Sequence, residues 1–219
     1  MVLHTNTLKN NLISGTLLLT LTGFLSRIIG FYYKIFLSRT IGAEGLGIYQ
    51  LIFPVFALII AVSAAGIQTS ISRYCAQCQT EQQSKRYLVT GLVLSLLISG
   101  ICIVIVQTYA PWIGSVLLED ARTISLLRLM TFSLPFACIH SCINGYYFGK
   151  KKAVIPSVSQ LLEQLIRVTG VFLLIQILTE QGNLPSPKIA VLGILFGEIT
   201  GALYSITMLL FSREKNPAQ

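Results

Sequence analysis

GFLSRIIGFYYKIFLSRTIGAEGLGIYQ, residues 23–50, is an apolar helix carrying charge, then a glycine-rich turn, then the start of a second apolar helix. Within it Arg27 and Lys34 stand seven positions apart and so share one helix face. An arginine near the middle of such a run costs roughly 2.5–3.5 kcal/mol on membrane-insertion scales. Charges of this kind face a partner or a water-filled cavity instead of lipid, which makes both residues candidates for function. The turn sets Gly42, Gly45 and Gly47 around Glu44, and glycine's access to positive φ suits a tight reversal.

The rest of the chain has the same character. Of 219 residues, 53% are hydrophobic and only 11% charged, where a soluble domain carries about 25% charged residues. Mean hydropathy is +0.73. Polar residues fall between long apolar runs, which predicts an all-α polytopic membrane protein. In lipid the backbone must bond internally, and runs of this length suit helices and not barrel strands. Six runs reach the span of about 20 residues that crosses a bilayer. They lie near 12–38, 46–68, 87–108, 124–148, 154–180 and 188–211. Residues 69–86 are expected to form a polar loop with at most a short interfacial helix. The first span is far longer than the roughly 7–15-residue apolar core of a signal peptide, and Arg27 lies inside it, so it is expected to stay in the mature protein.

The net charge of +8 follows from the loops and does not call for a nucleic-acid partner. Lys9, Arg73, Lys85, Arg86, Lys150, Lys151, Lys152, Arg213 and Lys215 fall on one side of the expected topology; Arg39, Arg122 and Lys188 fall on the other. Basic loops face the cytoplasm, so both termini are expected there, with residues 213–219 as a polar cytoplasmic tail. Trp112, beside Pro111 at an outer corner, suits the interfacial aromatic belt.

Three more ionisable residues, Glu163, Arg167 and Glu198, lie within apolar spans. Glu163 and Arg167 are spaced i, i+4 with the acid first, the favourable order for a helical ion pair. By position in their spans, Arg27, Arg167 and Glu198 reach one depth, as in a central polar cavity. Such charges either pair and lock the bundle or meet an ion or substrate. Arg27 and Lys34 favour the second role, because they are like charges on one face of a helix that contributes no acid. Gly193, Gly197 and Gly201 make a smooth face on the last span. Pro54, Pro135 and Pro156 can bend theirs.

The CAQC of Cys75 and Cys78 has no second CxxC to complete a zinc site. Cys138 and Cys142 share a face from which His140 points away. The cysteines are expected to be packing residues, with no metal and no cofactor. No Ser-His-Asp set and no phosphate-cradling loop is present, so no enzymatic activity is expected.

Residues 15–72, GTLLLTLTGFLSRIIGFYYKIFLSRTIGAEGLGIYQLIFPVFALIIAVSAAGIQTSIS, resemble the opening of the stage V sporulation protein B-like family. These are polysaccharide and oligosaccharide-lipid flippases of the MOP exporter superfamily, related to MurJ-type lipid II flippases. Residues 143–174, INGYYFGKKKAVIPSVSQLLEQLIRVTGVFLL, resemble the junction of that family's fourth and fifth spans. The resemblance implies that residues 1–212 form the six-helix N-terminal lobe of a MATE/MOP-type transporter, with the second lobe absent from this sequence. It implies an undecaprenyl-pyrophosphate-linked sugar as substrate, moved across the bacterial cytoplasmic membrane. Arg27, Lys34 and Arg167 would meet this lipid-linked anionic saccharide, with Glu163 and Glu198 as ion-pairing or coupling acids. Arg27 matches a basic cavity residue of the family's first helix, whereas Tyr33 stands near where the family has another. The expected partners are membrane lipids and a second six-helix lobe. Two alternatives stay open: a cation-coupled multidrug exporter of the same superfamily, and a structural or regulatory subunit that does not transport.

Overall fold

The computed structural model describes residues 2–182 and 184–214, with side chains over 15–182 and 184–211. Residues 215–219 of the expected tail, and the side chains of Lys9, Arg213 and Lys215, lie outside the described residues. Eight α-helices follow in order: α1 Val2–Leu51, α2 Phe53–Ile60, α3 Gly66–Gln77, α4 Glu81–Trp112, α5 Thr123–Met130, α6 Leu134–Gly149, α7 Val154–Glu180 and α8 Pro187–Glu214. Wide π-type turns at Ala61–Ala65 and Ile113–Leu117 and a tight 3-10 turn at Thr131–Ser133 splice some of these into longer rods. Pro54 and Pro135 sit in the first turns of α2 and α6, where a missing N–H costs least.

Five stretches are long and apolar enough to cross a membrane: Gly15–Gln77, Glu81–Leu117, Thr123–Gly149, Val154–Glu180 and Pro187–Phe211. The last four correspond to expected spans. Five helical stretches replace the six expected, because the first two expected spans run together in one stretch of 63 residues. A straight rod of that length would extend about 95 Å, roughly three times the hydrocarbon thickness of a bilayer. It is not straight. Gly42, at φ 78° and ψ 165°, interrupts it. Tyr33 and Tyr49 share one core cluster, although a continuous helix would hold them about 24 Å apart. The chain therefore doubles back at a single residue, with helix on both sides of it.

The expected loop at 69–86 is also corrected. Helix α3 runs to Gln77 and α4 begins at Glu81. Thr80 caps α4 by accepting from the Gln83 N–H at 3.4 Å, and Lys85 pairs with Glu81 at 2.8 Å one turn on. These polar residues decorate helix ends, and only residues 78–80 lie between the two helices.

The core has two parts. Tyr33, Leu37, Tyr49, Leu127, Val171 and Ile194 belong to one cluster, which joins α1 to α5, α7 and α8. Ile71, Leu88, Cys142, Ile143 and Tyr147 belong to the other, between α3, α4 and α6. Helix α6 lies very close to α3: a Cβ at Gly145 would fall 2.6 Å from the Gln68 carbonyl oxygen. Cys75 is buried in the second cluster and all five cysteines are unpaired, in keeping with packing roles. Near the Gly42 reversal, Arg122 binds Glu44 at 2.6 Å and Asp120 at 2.9 Å. Hydrogen bonds from Arg122 hold the Asp120 carboxyl below the usual carboxylate range. That site is open to solvent, where such pairs add little stability.

The backbone at Gly42 is open to almost no other residue, while the space around it is empty. Gly42→Ala should therefore cost about 1–3 kcal/mol through conformation alone. Gly47→Ala, also with nothing within 4 Å but with no positive φ, should be neutral or stabilising by up to about 1 kcal/mol. Thermal unfolding of both variants in detergent checks this; equal effects would contradict it.

Candidate functional site: a buried charge cluster

Gly193, Gly197 and Gly201 recur every fourth residue along α8 and present bare backbone to α7 and α6. A Cβ at Gly193 would lie 2.3 Å from Val171 Cγ2 and 3.2 Å from the Arg167 carbonyl oxygen. One at Gly197 would lie 3.0 Å from the Glu163 carbonyl oxygen. Helix α8 thus approaches α7 more closely than side chains at these positions would permit. That contact positions the site.

Four ionisable side chains from three helices meet there. Along α7, Arg167 Nη2 binds Glu163 Oε1, the i, i+4 pair expected from the spacing. The same nitrogen lies 4.0 Å from Glu198 Oε1 on α8. The other oxygen of Glu198, Oε2, is 3.1 Å from His140 Nδ1 on α6. From α1, the Tyr33 hydroxyl would sit 3.4 Å from a Cβ on Gly193. Glu198 is only 7% exposed. Donor atoms of His140, Glu163 and Glu198 lie within 4.8 Å of one another, and the cation among them is the Arg167 guanidinium. One fixed positive charge thus serves two carboxylates.

The structure brings Glu163, Arg167 and Glu198 together and leaves Arg27 and Lys34 outside their network. Both of the latter are exposed on α1, and neither enters an ion pair among the described residues. His140 was missing from the expected site residues. It does point away from Cys138 and Cys142, but towards α8. The signal in the sequence is that a histidine inside an apolar span is itself an intramembrane ionisable group. Two clefts of about 560 and 590 Å³ lie elsewhere. One is lined in part by Glu44, Arg122 and Lys188, the other by Arg86 and the stacked rings of Tyr74 and Tyr87.

The fold defines the class. The chain matches a MOP superfamily transporter from Pyrococcus furiosus with a TM-score of 0.76 at 15% identity, over 90% of this chain and 45% of that one. It is an all-α, multi-pass membrane protein with the MOP transporter fold. Residues 12–218 match the polysaccharide biosynthesis protein family, and the chain belongs to that family. Stage V sporulation protein B of Bacillus subtilis (strain 168) is 30% identical over 199 residues, which cover 90% of this chain and 38% of that protein. The lipid II flippase MurJ of the same strain is 26% identical over 178 residues, covering 76% of this chain and 32% of its own length. The chain thus spans about a third of the length of these relatives.

A leucine at Gly197 would drive α8 away from the α7 backbone and pull Glu198 from Arg167. Gly197→Leu should lower the yield of folded, monodisperse protein in detergent severalfold. Gly201→Ala, whose added Cβ meets neighbours no closer than 3.6 Å, should leave it unchanged. Size-exclusion profiles of the two variants test the contact, and a normal profile for Gly197→Leu would remove it.

Proposed function

We propose that this chain is one lobe of a flippase that carries an undecaprenyl-pyrophosphate-linked sugar, a cell-wall or polysaccharide precursor, across the bacterial cytoplasmic membrane. A pyrophosphate headgroup is anionic and does not cross hydrocarbon unaided. The observation that carries this reading is the pair Arg27 and Lys34. They are two cations on one exposed face of α1, without an ion pair among the described residues. A second lobe facing α1 would enclose them in a cavity, where they would meet the phosphates. Arg167 would be a further anion contact, held by Glu163 and Glu198 until needed. Coverage of 45% of the solved transporter supports a two-lobe assembly. The lipid tail would stay in the bilayer while the headgroup moves.

In this reading residues 1–212 form the N-terminal lobe, both chain termini are cytoplasmic, and 213–219 is a cytoplasmic tail. A cysteine placed at Glu44 should react with an impermeant thiol reagent in intact cells, and one at Lys151 only after permeabilisation. The opposite pattern would invert the topology.

The functional test is Arg27→Ala in a protein containing both lobes. Flipping of lipid-linked precursor should fall at least about tenfold, equivalent to some 1.4 kcal/mol, while membrane abundance stays near normal. Abundance should hold because Glu198 and Glu163 already have Arg167 and His140 beside them. Arg27→Lys should keep part of the activity, since charge survives and bidentate phosphate bonding does not. Full transport by the alanine variant would end the proposal. Loss of abundance without loss of specific activity would make Arg27 structural instead.

A further inference from the structure

The cluster on α6, α7 and α8 is one positive charge short. With a neutral imidazole, Glu163 and Glu198 contribute two negative charges and Arg167 one positive, which leaves a net charge of about −1 in a low-dielectric site. The geometry at the far side of Glu198 shows where a further positive charge can be placed. His140 Nδ1 and Glu198 Oε2 lie 3.1 Å apart, both sealed from solvent, and neither has an aligned hydrogen bond among the described residues. A bare imidazole nitrogen and a carboxylate oxygen are both acceptors, and two acceptors at that separation repel unless a proton lies between them. Once Nδ1 carries that proton, the imidazole can accept another on Nε2. The His140 side chain, 17% exposed, is not wholly shut off from water.

We propose that the His140–Glu198 pair binds one exchangeable proton within the membrane-spanning bundle, and that this proton sets how available Arg167 is to an anionic headgroup. The proton comes from water and adds to an imidazole lone pair; no other bond is made or broken. Without it, Arg167 answers two carboxylates. With it, the imidazolium neutralises Glu198, and Arg167 is left with Glu163 alone. An anion approaching Arg167 then meets a site more positive by one charge. By linkage, anion and proton each favour the binding of the other. This second half rests on the flippase reading; the proton site itself does not.

The groups that face His140 are few. Glu198 comes from α8, and Glu163 and Arg167 come from α7. On the α3 side the neighbouring contact is uncharged, Ser141 donating to the Gln68 side chain at 2.8 Å. Titration in this region therefore reports the cluster and not a distant charge.

The test uses the full chain in lipid nanodiscs with ¹⁵N-labelled histidine. The chain has two histidines, His4 and His140, so His140→Gln assigns the signals. His140 should pass between neutral and charged nitrogen patterns within about pH 5–9, the window open to a histidine. The probe anion is inorganic sulfate, whose charge is constant over that range, added at fixed ionic strength against chloride. At a fixed pH near the midpoint, saturating sulfate should raise the ratio of charged to neutral His140 at least about twofold. Arg167→Lys should keep a weaker response, and Arg167→Gln should abolish it. A His140 that holds one charge state across the window would overturn the proton site. A titrating His140 that ignores sulfate in the wild-type chain, or responds equally in Arg167→Gln, would overturn the link to Arg167. Arg167→Lys keeps the second arm decisive if the glutamine variant does not fold. None of these outcomes depends on flipping, so failure here and failure of Arg27→Ala are separate results.

Discussion

The bare backbone of α8 at Gly193, Gly197 and Gly201 is the feature on which the arrangement of charge depends. Because no side chain intervenes, α8 rests on α7 at the level of Glu163 and Arg167. Glu198, one residue beyond Gly197, is thereby held 4.0 Å from Arg167 and 3.1 Å from His140. At 4 Å a unit-charge pair is worth about 4 kcal/mol at an effective dielectric of 20, and it weakens as separation and intruding water grow. Removing one member of such a group leaves an uncompensated buried charge at about 3–5 kcal/mol. Helix packing and electrostatics are therefore a single constraint here.

Everything else is set around that contact. The reversal at Gly42 returns the chain so that Tyr33 and Tyr49 face each other over α7 and α8. The second core, around Ile143 and Tyr147, fixes α6 against α3 and so fixes the azimuth of His140. The embedded charges then fall into two populations. Those on α6, α7 and α8 are enclosed and face one another, two carboxylates around one guanidinium. Those on α1 are exposed and uncompensated among the described residues. Physical cost separates them: an enclosed charge needs its partner in the same chain, whereas an exposed one can take water, lipid headgroups or another surface.

Much of this was legible in the sequence, and the omissions have physical reasons. Apolar length alone located the last four membrane stretches, since nothing but a helix satisfies a backbone over 20 residues of lipid. The i, i+4 spacing of Glu163 and Arg167 and the four-residue repeat of α8 glycines are local patterns, and local patterns survive folding. The glycine-rich turn is legible as a tight reversal, but three glycines do not say which one turns the chain, and Gly42 alone leaves the helix. Residues 69–86 were read as a loop because their polarity resembles one, although Thr80 and Gln83 form a helix cap. His140 was passed over because its partners, Glu163 and Glu198, lie 23 and 58 positions away. Only packing of α8 on both α6 and α7 makes them neighbours.

Helix α1 stands between the two populations of charge. Successive residues on a helix are turned by about 100°, so Tyr33 can point inward, 5% exposed, while Lys34 beside it points outward. Tyr33 is then the side chain by which α1 reaches the α7–α8 contact, its hydroxyl beside Gly193 and its ring in one cluster with Tyr49. On the proposed reading, an anion engages Arg27 and Lys34 on the exposed face of α1. The one residue between the two arms of α1 that already lies off the helix is Gly42. A shift about that point would move the two exposed cations together, since they share one rigid face.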